Sequence, residues 1–311
     1  MRQIHFAQIS DIHISELGDH DDMLSGRAAG FLAQTIARLN QMADLDFVLL
    51  TGDLFDTASE TELARFQQAI RPLAKPCYII PGNHDRRDSD RSTGLTRRAF
   101  AELFNPQVDR RPVDNGAQAG YWAIDLPFGL RLIGLDSVID GDWSGEIDRP
   151  QMRWLTAELS RQPNSPTIVA IHHPLHPLAP IDADPYWQRF VLSNGPELLA
   201  LLNAQPQVKL VLTGHHHLAK AEWLGRRLHL ACPALSIYPC AYRTIRLTQA
   251  DDSGWGVAWQ THHVAGSETV AEAEKLMLDA WQAAGFKADF VAEHARLALG
   301  SPFDRSGQAS F

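Results

Sequence analysis

Short apolar runs alternate with amphipathic stretches along the first part of the chain. Residues 4–10, 47–50 and 77–80 are runs of the kind that form buried strands. Between them, residues 25–43 carry apolar side chains at helical spacing, and the string Ser59-Glu60-Thr61-Glu62 has the form of a capping box that begins a second helix, ending near residue 70. This order predicts α/β layering with parallel strands in the sheet.

The middle of the chain predicts a hairpin, two further buried strands and two helices. These are a hairpin of residues 121–126 with 130–135, a helix over 150–159, a strand over 167–171, a helix over 196–202 and a strand over 209–212. Residues 222–263 then predict short antiparallel strands that glycine and proline interrupt.

The end of the chain predicts two helices, one over residues 269–284 and one that ends near residue 299. The last residues, 301–311, lack a clear pattern and are expected to be frayed. We therefore expect one domain over residues 1–265 and a helical tail over 266–311. The tail could serve as a lid, form a dimer contact or simply pack on the core.

Composition narrows the classes of partner. The chain has 311 residues, of which 45% are hydrophobic and 21% charged, and a formal net charge of −9. This acidic balance disfavours nucleic acid, whose phosphates select clustered Lys and Arg. The N-terminus has no signal-peptide apolar region, and no run is long enough to span a bilayer. With only three cysteines, Cys77, Cys232 and Cys240, a reducing compartment is favoured, so we expect a cytoplasmic protein.

Five short strings of His, Asp and Asn supply seven plausible metal ligands. The strings are Asp11-Ile12-His13, Gly52-Asp53, Gly82-Asn83-His84-Asp85, His172-His173-Pro174 and Gly214-His215-His216-His217. Most of them follow a predicted strand, and ligands of open α/β sheets bind at the carboxyl ends of the strands. In Asp11-x-His13 and His215-x-His217 the ligands alternate by two, which on extended backbone turns both side chains to one face.

This set of residues predicts a centre of two metal ions. Two dications about 3.5 to 4 Å apart suit in-line displacement at phosphorus, but they repel each other by roughly 19 kcal/mol at an effective dielectric of about 20. A bridging anion is therefore needed, and Asp53 is the best candidate, together with a hydroxide that would act as the nucleophile. Two dications with Asp11 and Asp53 leave a net charge of about +2, which a hydroxide and a phosphodiester monoanion would balance. The count favours a diester over a monoester.

With these strings, residues 4 to about 224 resemble the calcineurin-like metallophosphoesterases. The resemblance implies a four-layer α/β/β/α sandwich of two mixed sheets. It implies that Asp11, His13 and His217 hold one metal ion and that Asn83, His172 and His215 hold the second, with Asp53 bridging both.

The same resemblance assigns roles around the metal ions. It implies that His84 stabilises the transition state or protonates the leaving group, and that Asp56 orients His84. The strings Leu135-Asp136-Ser137, Gly141 to Gly145 and Gln151-Met152-Arg153-Trp154-Leu155 are similar to the class III cyclic-nucleotide and glycerophosphodiester phosphodiesterase branch.

Several positions keep two readings. The resemblance selects His172 rather than His173 as the ligand, and His173 would then face the substrate or support a ligand. Asn83, Arg86 and His173 are candidate substrate contacts, with a solvated loop as the alternative for Arg86 and Arg87. His216 is expected to be structural or at the cleft rim. His20, Asp21 and Asp22 are expected to form a polar loop rather than a metal cluster. His176, Tyr186 and Trp187 could line the pocket or only pack.

The sequence thus predicts a metal-dependent phosphoester hydrolase that acts on a small-molecule phosphodiester. The alternatives are a phosphomonoesterase, a nuclease and a catalytically silent scaffold of the same fold. Manganese or iron is favoured by the resemblance, and the mixed donor set also suits zinc or cobalt. Homodimers or larger oligomers are compatible with the chain.

Overall fold

The computed structural model describes residues 2–86, 94–104, 120–185, 187–249 and 254–311. The strands of this part of the chain are β1 (Arg2–Ile9), β2 (Phe47–Thr51), β3 (Cys77–Ile80), β4 (Trp122–Asp125), β5 (Arg131–Gly134), β6 (Thr167–Ala170), β7 (Val208–Thr213), β8 (Lys220–Leu224), β9 (Arg227–Ala231), β10 (Ala241–Gln249), β11 (Trp255–His263) and β12 (Ser306–Ser310). The α-helices are α1 (Ala28–Asn40), α2 (Glu60–Ile70), α3 (Arg97–Phe104), α4 (Arg149–Arg161), α5 (Gly195–Asn203), α6 (Ser267–Ala283), α7 (Ala288–Leu299) and α8 (Pro302–Arg305).

The strands form two six-stranded mixed sheets. The order in the first sheet is β12-β11-β10-β1-β2-β3, and in the second it is β4-β5-β6-β7-β9-β8. Strands β1, β2 and β3 run parallel to one another, as do β5, β6, β7 and β9. The remaining strands pair antiparallel at the sides of these parallel blocks.

Alternation along the strands separates three apolar layers. In β1, Ile4 and Phe6 lie in the core between the two sheets, whereas Ala7 and Ile9 lie in the outer core beneath α1. On the other side, outward-facing residues such as Val169 pack with α4 and α5. Side chains that alternate along a strand face opposite sides of the sheet, so each sheet is covered on both faces. The predicted four-layer α/β/β/α sandwich is confirmed.

Most predicted elements are confirmed with small shifts at their ends. Ser59 caps α2 through a capping box with Glu62, as expected. Helix α3 was not predicted, because its apolar positions cover only two turns. The pattern after β7 was expected to be antiparallel throughout, but β9 returns to pair parallel with β7.

The prediction that residues 301–311 are frayed is wrong. Ser301 and Asp304 cap α8, and β12 pairs with β11 at the edge of the first sheet. The Asp304 carboxylate also accepts a hydrogen bond of 2.8 Å from the backbone N–H of Ala221. The tail therefore contains a strand as well as helices, and α6 and α7 bury apolar residues in the same core as α1. Among the described residues, no helix has the length and apolarity to cross a bilayer.

Candidate metal centre

The predicted ligands lie where parallel strands of both sheets end. Asp11, Asp53 and Asn83 follow β1, β2 and β3 of the first sheet, whereas His172 and His215 follow β6 and β7 of the second. Parallel strands bring their carboxyl ends to one edge, and the two sheets meet there. The structure thus brings the predicted ligands of both sheets together.

The backbone at the predicted ligands is not extended. The expectation that ligands two residues apart share one face of an extended strand is therefore wrong for Asp11 and His13 and for His215 and His217. Asp11, His13, His215 and His217 have φ angles of 53°, 48°, 66° and 58°, and Asp53 has a φ of 52°. Such left-handed conformations are uncommon outside glycine and cluster at functional sites. The side chains converge because tight turns follow the strands, and the backbone N–H of His215 donates to the Asp11 carboxylate at 3.0 Å.

Two glycines make room for this convergence. Gly52 has a φ of +96°, and a Cβ there would lie 2.5 Å from Nδ1 of His172. A Cβ at Gly214 would lie 1.9 Å from Oγ of Ser10 and 2.7 Å from a carboxylate oxygen of Asp11. Any larger residue at either position would displace a predicted ligand or its support.

The first group of candidate ligands is Asp11, His13 and His217, whose ligating atoms lie within 4.8 Å of one another. Nε2 of His217 is 3.5 Å from Oδ1 of Asp11, and Nε2 of His13 is 4.0 Å from the same oxygen. This is the set expected for one metal ion.

The second group is Asp53, His172 and His215, again within 4.8 Å. Oδ2 of Asp53 is 3.2 Å from Nε2 of His172 and 3.8 Å from Nε2 of His13. One carboxylate oxygen therefore lies between histidines of both groups, the position that a bridging ligand requires.

Five buried nitrogen and oxygen atoms of the predicted metal ligands have no hydrogen-bond partner within the described ranges. They are both ring nitrogens of His13, Nε2 of His172, Nε2 of His215 and Oδ1 of Asn83. A buried polar atom without a partner costs roughly 1–3 kcal/mol, so several in one place indicate a missing ligand. Nδ1 of His172 donates to the Thr51 carbonyl at 2.7 Å, which leaves Nε2 as the free lone pair that metal ligands need. The residues present fit a pair of divalent cations.

The electrostatics of the centre favour a cation between Asp53 and His172. Burial opposes charge on Asp53, but the neighbouring histidines, His172 first, hold the pKa of its carboxyl well below the ordinary value. Burial likewise opposes a proton on His172, yet the Asp53 carboxylate raises the pKa of His172 to about 9. Burial lowers the pKa of His13 to about 3. A metal ion bound here would take the place of the proton on His172.

His172 and His173 have different surroundings, which separates their roles. Nε2 of His173 donates to the Trp143 carbonyl at 3.0 Å, and its Nδ1 is 2.7 Å from Oγ of Ser137. Both ring nitrogens are thus occupied, and the ring packs 4.3 Å from that of His215. His173 supports a neighbouring histidine, and the expectation that it contacts substrate is not met.

His84 points into the same pocket, but Asp56 holds it differently from the expectation. Nδ1 of His84 donates to the backbone carbonyl of Asp56 at 2.8 Å, whereas the Asp56 carboxylate is 3.8 Å away. The backbone N–H of His84 donates to Oδ1 of Asp53 at 2.9 Å. The main chain of Asp56 therefore orients His84, and its carboxylate instead contacts Ser15 and His20.

Arg86 lines the pocket, and its two terminal nitrogens pair with carboxylates that follow β5 of the second sheet. One donates to Asp136 and the other to Asp140, each at 2.6 Å, and the side chain is buried. Asp136 also accepts from Arg97 at 2.8 Å. Arg86 joins the loop of Asn83 and His84 to the loop after β5, so it is neither free nor in a solvated loop, and its contact with substrate stays a prediction. Arg87 lies outside the described residues.

Asp85 was part of the predicted strings but had no assigned role. Its buried carboxyl group accepts hydrogen bonds from the backbone N–H groups of Leu54 and Gly82, at 2.7 and 2.9 Å. Burial raises the pKa of Asp85 to about 8. The residue ties the loop after β2 to the loop after β3, and only the fold reveals this long-range contact.

The metal-centre residues form the floor of an open pocket of about 890 Å³. His20, Asp21 and Asp22 lie on one side of it, and no candidate metal group within the described ranges includes them. Trp187 lines the pocket, whereas Tyr186 lies outside the described residues. His216 is turned away from the ligands and pairs with Asp182, as expected for a structural residue.

Comparison with known proteins identifies relatives. A model of calcineurin-like phosphoesterases matches residues 4–219. The chain is 33% identical over 219 residues to a 3′,5′-cyclic-nucleotide phosphodiesterase of Nostoc sp., covering 69% of this chain and 71% of that protein. It is 30% identical over 216 residues to a glycerophosphodiester phosphodiesterase of Enterobacter lignolyticus, covering 68% and 70%. In structure it is similar to a dimetal phosphatase of Danio rerio, with a TM-score of 0.67 at 14% identity, over 84% of this chain and 96% of that chain.

Proposed function

The chain belongs to the calcineurin-like phosphoesterase family, and from this we propose that it hydrolyses cyclic nucleotides at a centre of two divalent metal ions. Members of this family bind a dinuclear divalent metal centre, and the relatives at about 30% identity are phosphodiesterases. The single observation that carries the proposal is the position of the Asp53 carboxylate between His13 and His172.

In this proposal the ligand sets are those expected from the sequence. Asp11, His13 and His217 hold one ion, and Asn83, His172 and His215 hold the other, with Asp53 shared. The buried atoms without hydrogen-bond partners support this assignment. Manganese or iron remains the favoured metal from the family resemblance, and the oxygen and imidazole donors are compatible with both.

When bound, two divalent ions lower the pKa of water and neutralise charge on phosphate oxygens. The chain itself supplies the orientation. His84 is fixed at Nδ1 by the Asp56 carbonyl, so in its charged form Nε2–H can donate to the phosphate or to the leaving oxygen. The Arg86–Asp136 pair holds the His84 loop against the second sheet.

An aromatic wall beside the metal centre supports a nucleotide as the substrate. We define the wall as Trp143, Trp187, Phe190 and Trp281, all of which line the pocket. Trp187 stacks on Trp281 with ring centroids 5.3 Å apart, and Phe190 stacks on the ring of His215 at 4.9 Å. A wall of this kind offers stacking surfaces to a planar base, whereas an uncharged glycerol group would gain little from it.

Trp281 comes from α6, so the tail of the chain contributes to the pocket. Its indole N–H donates to Oδ2 of Asp22 at 2.9 Å, which fixes the ring against the loop that follows β1. We propose that the tail, residues 266–311, packs on the core and contributes Trp281 to the aromatic wall of the substrate site. A catalytic unit over residues 1–265 alone would lack this surface. The dimer contact and the cytoplasmic location remain predictions.

A substrate panel tests the proposed function. The manganese-loaded protein should hydrolyse bis(p-nitrophenyl) phosphate and 3′,5′-cAMP faster than p-nitrophenyl phosphate or glycerophosphoglycerol, which has neither an aromatic group nor a cation. Asp53→Ala should abolish hydrolysis of all of them. Preference for p-nitrophenyl phosphate would favour a monoesterase, and glycerophosphoglycerol as the best substrate would contradict the role of the wall.

Trp281→Ala tests the wall separately from the chemistry. Trp281 stacks on both Trp187 and His294, with ring centroids 5.3 and 4.3 Å apart, so it holds the wall in place. Its removal should displace the Trp187 ring and raise KM for 3′,5′-cAMP by roughly 5- to 150-fold, since base–aromatic stacking contributes about 1–3 kcal/mol. Inhibition by inorganic phosphate, which has no base, should be unchanged. Trp223→Ala is the control, because Trp223 is exposed on β8 and absent from the pocket lining. An equal loss of phosphate binding would mean that Trp281 only maintains the fold.

A further inference from the structure

A further group of candidate metal ligands lies outside the pocket of the proposed dinuclear centre. It consists of His176, Glu222 and His229, whose ligating atoms lie within 4.8 Å of one another. Glu222 and His229 face each other across the antiparallel pair β8 and β9, and His176 follows β6 in the neighbouring loop. None of the three lines the pocket of the proposed metal centre. No sequence spacing indicates this group, because strand pairing brings its members together.

The contact distances fit a metal-binding triad. Nε2 of His176 is 3.0 Å from Oε1 of Glu222, and Nδ1 of His229 is 3.1 Å from the same oxygen. In a tetrahedral zinc site with ligand distances of 2.0–2.2 Å, neighbouring donor atoms are about 3.3 Å apart. The two distances to Glu222 are close to this spacing, and the ligating atoms of His176 and His229 lie within 4.8 Å of each other.

The alignment of His176 also indicates a missing ligand. Nε2 of His176 is buried and has no partner in hydrogen-bond geometry within the described ranges, although the Glu222 oxygen is 3.0 Å away. The same Glu222 oxygen accepts a hydrogen bond from Nδ1 of His229 at 3.1 Å, so both imidazoles are directed at one point beside this carboxylate. An ion at that point would satisfy both.

The other ring nitrogen of His229 is held as it is in metal-binding histidines. Nε2 of His229 lies 2.8 Å from Oγ1 of Thr213, and the residue is fully buried. A polar partner on the second nitrogen fixes both the ring orientation and the tautomer of a ligating histidine. Burial lowers the pKa of His229, which keeps the ring in the neutral form that a metal requires.

We propose that His176, Glu222 and His229 form a third metal site, separate from the dinuclear centre, that binds Zn²⁺. Two imidazoles and one carboxylate are a zinc-type donor set with a fourth position open to water, and both His176 and Glu222 are partly exposed to solvent. Arg243 is buried near His229, and its positive charge opposes a bound cation. Zinc should therefore bind less tightly here than in a closed site of four ligands.

Metal content and anomalous diffraction test this site without relying on activity. In equilibrium dialysis against Zn²⁺, the protein should bind about three zinc ions per chain, and Glu222→Gln should bind about two. Crystals soaked in Zn²⁺ should show an anomalous peak bounded by His176, Glu222 and His229. Glu197→Gln, on the exposed start of α5, is the matched control and should bind as the unchanged protein does.

The outcomes separate this site from the proposed function. Glu222→Gln should hydrolyse bis(p-nitrophenyl) phosphate at an unchanged rate, which also shows that it is folded. If the zinc count is the same with and without Glu222→Gln and no peak is present at the triad, the proposal is wrong and the three residues form a hydrogen-bonded network. In Asp53→Ala, the peak at the triad should persist even though hydrolysis is lost. Failure of the dinuclear proposal would therefore leave this result intact.

Discussion

Replacement of His84 by alanine separates chemistry from metal binding. The imidazole is held by the Asp56 carbonyl at 2.8 Å, but the link from this residue to Asp53 is its backbone N–H at 2.9 Å, which alanine keeps. The ligand groups should therefore persist, and the variant should bind two metal ions as before. A positioned acid or base contributes about 10²- to 10⁴-fold, which is about 2.7 to 5.4 kcal/mol of transition-state stabilisation. We expect kcat for 3′,5′-cAMP to fall by that factor.

The leaving group distinguishes the two roles that remain open for His84. If His84 protonates the leaving oxygen, the loss should be larger for 3′,5′-cAMP, which releases an alkoxide, than for bis(p-nitrophenyl) phosphate, which releases a stable phenolate. If His84 only stabilises charge on the phosphate, the two losses should be equal. Nδ1 is engaged by the Asp56 carbonyl, so Nε2 acts in either role, and the ratio of the two losses decides between them.

A matched control is available in the same pocket. The side chain of His20 is as exposed as that of His84, 26% in both, and it also contacts Asp56, at 3.4 Å. Steady-state kinetics with metal analysis on His20→Ala should show a change of less than about threefold, since this ring belongs to no candidate metal group. If His84→Ala also changed kcat by less than about threefold with full metal content, or if it lost the metal ions, the reasoning would be refuted.

Three further predictions concern the scaffold and the ligand choice. Gly52→Ala should destabilise the fold by about 1–3 kcal/mol and lower the metal content, because its Cβ would meet Nδ1 of His172 at 2.5 Å. Gly30→Ala is the control and should raise Tm, because a Cβ there meets nothing within 4 Å on the surface of α1. His172→Ala should lose metal by elemental analysis and His173→Ala should not; the reverse would overturn the assignment. Burial lowers the pKa of His294 to about 3, so on acidification the unfolded chain binds a proton at this residue before the folded protein does. The free energy of unfolding should therefore fall as the pH drops from about 6.5 to 3, by up to about 1.4 kcal/mol per pH unit. In urea denaturation, His294→Phe should remove that part of the slope, and an unchanged slope would contradict the shift.

Local patterns were enough to predict the layers and the edge at which the site lies. Runs such as residues 47–50 are buried on both faces, and a polar residue that directly follows such a run must lie at the end of a strand. The pattern alone therefore locates Asp53 and His172 at the ends of β2 and β6, where the structure has them. The route by which Asp11 and His13 converge was not predictable, because left-handed φ angles at non-glycine residues have no simple sequence signal.

Contacts between distant parts of the chain account for the other differences. Strand β12, Ser-Gly-Gln-Ala-Ser, has no β-branched or aromatic residue, and it forms because the edge of β11 offers unpaired backbone groups. Arg86 was expected either to contact phosphate or to lie in a solvated loop, but the fold brings Asp136 and Asp140 to it. Trp281 reaches the pocket only because α6 packs beside the loop of Asp22. Each of these depends on tertiary packing that no local window contains.

Anomalous diffraction from crystals soaked in Mn²⁺ tests the central claim most directly. Two peaks about 3.5 to 4 Å apart are expected at the strand ends, one beside His13 and one beside His172, with a carboxylate oxygen of Asp53 within bonding distance of both. A single peak, or two peaks that do not share Asp53, would contradict the dinuclear account.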